Sequence, residues 1–107
     1  MMRCGSVIKV KPGMLDEYVK LHSSVWPDVL KMIKECNIKN YSIYYKDGYL
    51  FSYFEYVGID YEGDMKRMAD DPTTQKWWDV TKPCHIPLET RKKGEWWAEM
   101  EEVFHLD

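Results

Sequence analysis

The sequence predicts an α+β domain with the element order β-α-β-β-α-β, and three observations carry that prediction. Two aromatic and β-branched runs, 38–46 and 49–57, flank an Asp47-Gly48 pair, the strong short-range signal for a hairpin. On either side of that hairpin, at 14–36 and 60–82, apolar residues recur at helical spacing. A strand-like run stands near each end of the chain, at 3–10 and 96–106.

Each element has a local reason. Residues 3–10, Arg-Cys-Gly-Ser-Val-Ile-Lys-Val, alternate in part, and Lys11-Pro12-Gly13 turns the chain. Leu15, Val19, Val29, Leu30 and Ile33 sit at helical spacing. Pro27 interrupts this stretch, and proline is tolerated in a first helical turn, so 22–27 reads as a kink or a restart. Asn37 is a C-terminal stop. After the hairpin, 60–70 reads as a helix despite Gly63, Asp70-Asp71-Pro72 breaks it, and 73–82 forms a second short helix. Residues 83–95 hold two prolines, a glycine and several charges, and read as a loop. In the last strand Trp96, Ala98, Met100, Phe104 and Leu106 share one phase, with Glu102 spoiling the alternation.

This order is the ferredoxin-like arrangement, in which both helical segments cover one sheet face. The aromatic strands make a bare second face costly, and two such sheets packed face to face as a homodimer, a dimeric α/β barrel, solve that problem. At 107 residues the chain reads as one domain, 1–107. Fifteen Lys and Arg against 18 Asp and Glu leave a net charge of −3 with no basic cluster, which argues against nucleic acid and anionic membrane as partners. No apolar run approaches the roughly 20 residues of a membrane span. Cys4, Cys36 and Cys84 are odd in number and far apart, with no CxxC, so neither a disulfide framework nor a thiolate zinc site is expected. The first ten residues lack the apolar stretch of a signal peptide, and with the cysteines this points to the cytoplasm.

Five Trp, eight Tyr and three Phe are more large rings than so small a core requires. Tyr and Trp suit ligand clefts and interfaces, being apolar with a polar handle. Tyr18, His22 and Trp26 fall at i, i+4 and i+8, one stripe on a continuous helix, and His is the side chain suited to proton transfer near neutral pH. The structural alternative is a half-buried helix face. Trp77-Trp78 offers a plate for the apolar face of a sugar, or else two core anchors. Tyr41 and Tyr45 share one strand face and Tyr44 takes the other; strand packing accounts for most of these rings. His85 beside Cys84, and His105, form no recognisable metal or nucleophile pattern. No phosphate-binding glycine motif occurs.

Glu17-Tyr18 followed by His22, Trp26-Pro27-Asp28, Asn40-Tyr41-Ser42-Ile43-Tyr44, Gln75-Lys76-Trp77-Trp78 and the ending 100–107 together resemble the L-rhamnose mutarotase family, in order and over nearly the whole chain. No single segment is specific; the combination is. The resemblance implies a ferredoxin-like dimer and an aldose 1-epimerase that interconverts the α and β pyranose anomers of L-rhamnose or a related 6-deoxy sugar, with no cofactor and no metal. By position, His22 matches the family's acid/base histidine, Tyr18 and Tyr41 its sugar-contacting tyrosines, and Trp77 and Trp78 its paired tryptophans. No role passes to His85 or His105. The competing readings are a cofactor-independent monooxygenase of the same barrel type and a non-catalytic sugar-binding module.

Overall fold

The computed structural model describes all of residues 1–107, and its elements run β1 (Met2–Val10), α1 (Leu15–His22), α2 (Pro27–Glu35), β2 (Ile38–Lys46), β3 (Tyr49–Tyr56), α3 (Tyr61–Ala69), α4 (Pro72–Thr81), a 3₁₀ turn (Lys82–Cys84), β4 (His85–Ile86) and β5 (Ala98–Met100). The predicted order is present, with each helical segment split in two. Both splits follow from proline. Pro27 and Pro72 each occupy the first turn of a helix, where a missing N–H costs nothing. Trp26, placed on the α1 stripe by spacing, therefore stands outside α1 as the residue capping α2.

Side-chain caps set the starts of the later helices. Asp60 accepts from the Gly63 N–H and Asp71 from the Thr74 N–H. Gly63, which weakens the helix by propensity, is required by the first cap: a Cβ there would stand 2.1 Å from the Asp60 carboxylate. Asp47 (φ 51°) and Gly48 (φ 87°) both lie in the left-handed region, the signature of a type I′ hairpin turn.

The sheet is antiparallel in the order β2-β3-β1-β4, with β5 on the same side of β1 as β4. The expected last strand, 96–106, is thus reduced to β5, and β4 is a short strand within 83–95, which the sequence reads as a loop. Val10 pairs with His85, and Gly5 to Val7 pair with Met100 to Ala98. Residues 87–97 leave the sheet between them. Residues 101–107, expected to continue the strand, form no regular structure, and Val103, Phe104 and Leu106 stay largely exposed. On the β5 register Glu102 faces Arg3, to which it is joined by an ion pair at 2.9 Å, and from Phe104 onward β1 offers no strand residue to pair with.

A bulge re-phases β2. Lys39 pairs with Glu55 and Ser42 with Tyr53, so Asn40 and Tyr41 together oppose Phe54. Asn40 takes the left-handed φ of 52° that this geometry needs, and its amide donates to Glu55. Ile38 and Tyr41, of opposite parity, consequently both face the helices. All four helices cover that face. Two apolar clusters hold the layers together, Ile8, Val10, Tyr18, Leu50 and Cys84 in one, Cys36, Ile38 and Met68 in the other. Only 16 of 107 residues are buried, because the space between these clusters is hollow. The opposite sheet face, bearing Val7, Tyr44, Phe51 and Tyr53, has no cover from this chain. No helix is long and apolar enough to cross a membrane.

Candidate active site

The hollow is an open-mouthed cavity of about 1,050 Å³, a little above the ordinary range of roughly 300–1,000 Å³ for ligand pockets. Its wall brings together all five residues singled out by the sequence: Tyr18, His22, Tyr41, Trp77 and Trp78. Each reaches it for a local reason. Tyr18 and His22 are one helical turn apart on α1, with ring centroids 4.2 Å apart. Trp77 stands edge-on to the His22 ring at 5.3 Å, and Trp26 packs behind it at 5.3 Å, outside the cavity lining. Trp77 and Trp78 are separated by a single step around α4, so both border the same hollow, Trp77 buried and Trp78 half-buried. Tyr41 enters from β2 through the bulge and rests against Phe54 at 5.4 Å. It stands at the rim, with much of its ring open, while burial of the phenol end pushes its pKa up.

His22 is held in one tautomer. Its Nδ1 lies 2.8 Å from the Tyr18 carbonyl, which can only accept, so Nδ1 carries the hydrogen and Nε2 of the neutral ring carries a lone pair. Burial lowers its pKa, and the bond to the Tyr18 carbonyl offsets part of that shift. His22 is therefore a base with its free nitrogen unblocked. Burial pushes the Tyr18 phenol well above its ordinary value, with a contribution from Tyr41, so it remains a neutral hydrogen-bonding group.

The sequence missed a second histidine in this wall. His85, 5% exposed, stands edge-on to Tyr18 at 5.0 Å and to Trp97 at 5.3 Å. The Trp96 indole N–H donates to His85 Nδ1 at 3.1 Å. Burial, then the fields of His22 and Lys82, push its pKa down to about 4. Lys82 lies over both the Trp78 and Trp96 rings, 5.1 Å from each, and so ties α4 to the 87–97 excursion. That excursion, which the sequence reads as loop up to residue 95 and as the opening of the last strand at Trp96 and Trp97, therefore supplies part of the cavity wall. No spacing rule connects residue 85 to residue 96, and nothing in the sequence marks the pair. No three His, Cys, Asp or Glu side chains gather in a metal-holding group.

The buried His85 and the half-buried His22 imidazoles make stability depend on pH. Their folded pKa values lie below the ordinary 6.5, so below that pH the unfolded chain binds protons that the folded chain refuses. Stability is complete above about pH 6.5 and is lost towards pH 4. Allowing for partial screening by solvent in the cavity, the His85 share of the loss at pH 5 is about 1–2 kcal/mol. Urea denaturation at pH 7.5 and pH 5, a window above the carboxylates' titration range, reads this directly; His85→Phe should flatten the difference, and an unchanged pH slope in that variant would contradict the assignment.

The sheet layer, its helical cover and the aromatic cavity between them place the chain in the dimeric α/β barrel fold. The L-rhamnose mutarotase of Formosa agariphila matches it with a TM-score of 0.80 at 21% identity, covering the whole of both chains, and the tetracenomycin F2 cyclase of Streptomyces glaucescens with a TM-score of 0.76 at 10% identity, covering 100% and 98%. At those identities the likeness is one of fold. Sequence goes further. The L-rhamnose mutarotase family model matches residues 3–106. An L-rhamnose mutarotase of Oceanobacillus iheyensis is 33% identical over the full length of both chains, and one of Ligilactobacillus salivarius is 35% identical over 99% of this chain and 98% of its own. The chain belongs to the L-rhamnose mutarotase family, a family of isomerases.

Proposed function

We propose that this protein interconverts the α and β anomers of L-rhamnopyranose by opening and reclosing the hemiacetal ring, with His22 as the acid/base group. The observation that carries this reading is the single tautomer of His22 in the aromatic cavity: Nδ1 tied to the Tyr18 carbonyl, Nε2 free. Ring opening removes the anomeric hydroxyl proton, forms the C1 aldehyde and breaks the bond from C1 to the ring oxygen. His22 takes that proton on Nε2 and gives it to the ring oxygen. Rotation about the C1–C2 bond turns the aldehyde over, and the reverse steps close the other anomer. Tyr18 and Tyr41 hydrogen-bond ring hydroxyls, and Trp77 and Trp78 pack on the apolar ring face and the methyl group. These roles call on no cofactor or metal. L-rhamnose is the substrate supported by family membership, and a related 6-deoxy sugar is the nearest alternative.

Saturation-difference NMR of anomer exchange tests this. Faster exchange of L-rhamnose with protein, exceeding that of L-fucose, D-galactose and D-glucose, is the expected result. No acceleration of any sugar by the folded protein would overturn the reading and leave the monooxygenase and binding-module readings, separated by oxygen uptake and ligand titration.

We also propose a cytoplasmic homodimer, a single domain per subunit, joined through the uncovered sheet face. Supporting it are Tyr44, 66% exposed, beside Phe51 and Tyr53 on that face, and the projecting apolar tail. Three free cysteines suit a reducing compartment. Light scattering should give twice 12.9 kDa, and Phe51→Arg should give 12.9 kDa with helical content retained. A wild-type mass of 12.9 kDa at micromolar concentration would rule the dimer out.

A further inference from the structure

His85 Nε2 is the one buried side-chain polar atom with no hydrogen-bond partner in the molecule. A buried donor left unpaired is costly and rare, and each instance calls for an explanation. Its tautomer follows from the other nitrogen. The Trp96 indole can only donate, so His85 Nδ1 accepts, and the neutral ring must carry its hydrogen on Nε2. The ring stays neutral at pH 7, since its pKa lies near 4. His22 is the mirror case, with its hydrogen on Nδ1 and its lone pair on Nε2. Both imidazoles pack on the same Tyr18 ring and line the same cavity. The cavity thus holds one imidazole set as a base and one set as a neutral donor, each fixed by a different partner.

We propose that His85, in the tautomer set by Trp96, donates from Nε2–H to the ring oxygen of the bound pyranose and stabilises the negative charge that develops there as the C1–O bond breaks. This rests on the ring-opening reading above and assigns the second half of its chemistry. The electron pair of the breaking bond moves onto the ring oxygen. His85 holds that oxygen by a hydrogen bond without surrendering its proton. The proton taken by His22 from the anomeric hydroxyl then completes the new hydroxyl group. A neutral imidazole polarising an oxygen, with its pKa lowered so that it never becomes imidazolium, is an established catalytic pattern. A single such donor, present before the charge forms, contributes about 10²–10³-fold where it has been removed from other sites. Trp96 acts as a positioning residue, because it selects the tautomer without touching the sugar.

The titratable and charged groups facing His85 are His22 and Tyr18 from α1 and Lys82 from the end of α4. None of them accepts a hydrogen bond from Nε2, and the atom is closed off from the open cavity, so the sugar reaches it as the rings around it shift on binding.

The test is anomer exchange of L-rhamnose by wild type, His85→Phe, His85→Gln and Trp96→Phe, together with long-range ¹H–¹⁵N spectra of the wild-type imidazoles with and without L-rhamnose. Expected are a fall in kcat of about 10²-fold for His85→Phe with a smaller change in KM, partial recovery in His85→Gln, whose amide keeps a donor, and a several-fold fall for Trp96→Phe. The spectra should show His22 as the Nδ1–H form and His85 as the Nε2–H form, with the His85 Nε2 signal shifting when sugar is added. A His85→Phe enzyme with wild-type kcat, or His85 present as the Nδ1–H form, overturns the proposal. The spectra use wild-type protein, so they decide the matter even if His85→Phe fails to fold. A wild type that exchanges no sugar overturns the ring-opening reading instead, which keeps the two failures distinct.

Discussion

Replacing His22 with alanine should lower the protein-dependent rate of anomer exchange by about 10²–10⁴-fold, the contribution typical of one positioned acid/base group. The imidazole is half-buried on the cavity wall and donates only to a carbonyl of its own helix, so its removal breaks no hydrogen bond between elements and loses only the edge of the Trp77 packing. Circular dichroism and the thermal midpoint should therefore change little while the rate collapses. The pH profile of the wild type carries independent information. The base must be unprotonated to act, and burial lowers the His22 pKa, so the acid limb of kcat/KM should fall below pH 6.5. In His22→Ala that limb should vanish with the activity. A variant that exchanges L-rhamnose at the wild-type rate would remove His22 from the mechanism.

Replacing Trp77 with alanine should cost about 3–5 kcal/mol of stability, a large part of the 5–15 kcal/mol typical of a domain. Trp77 is 7% exposed and stands between the His22 and Trp26 rings, so it joins α4 to both arms of the first helical segment. Its loss opens a void beside a space that is already hollow, and little can collapse into it. Urea titration reads the loss as a lower midpoint. Trp78 provides the contrast. It is half-buried under Lys82, so Trp78→Ala should leave most of the stability and raise KM for the sugar. Equal midpoints for Trp77→Ala and wild type would show that Trp77 carries no packing load.

The candidate site was legible where local chemistry sets it. Tyr18 and His22 come together because α1 places residues four apart on one face, and Trp77 and Trp78 share a helix. Trp26 illustrates the limit of that rule: the stripe assumes a continuous helix, and the restart at Pro27 moves Trp26 behind Trp77. Tyr41 reaches the cavity through a bulge that strict alternation from Ile38 would not place, since a bulge depends on pairing with the neighbouring strand. The sequence assigns His85 no role, because its meaning lies in Trp96, eleven residues away across an irregular excursion.

By itself the sequence determined the order of the elements, the hairpin turn, the interruptions at Pro27 and Pro72, and the family, all of which depend on residues close together along the chain or on matched segments. Only the tertiary structure decided which last-strand residues pair, which rings border the hollow, and which nitrogen of each histidine carries its hydrogen. Those outcomes depend on partners brought together by folding: a strand pairs only where its neighbour has residues to offer, and a tautomer is set by whichever acceptor or donor packing delivers.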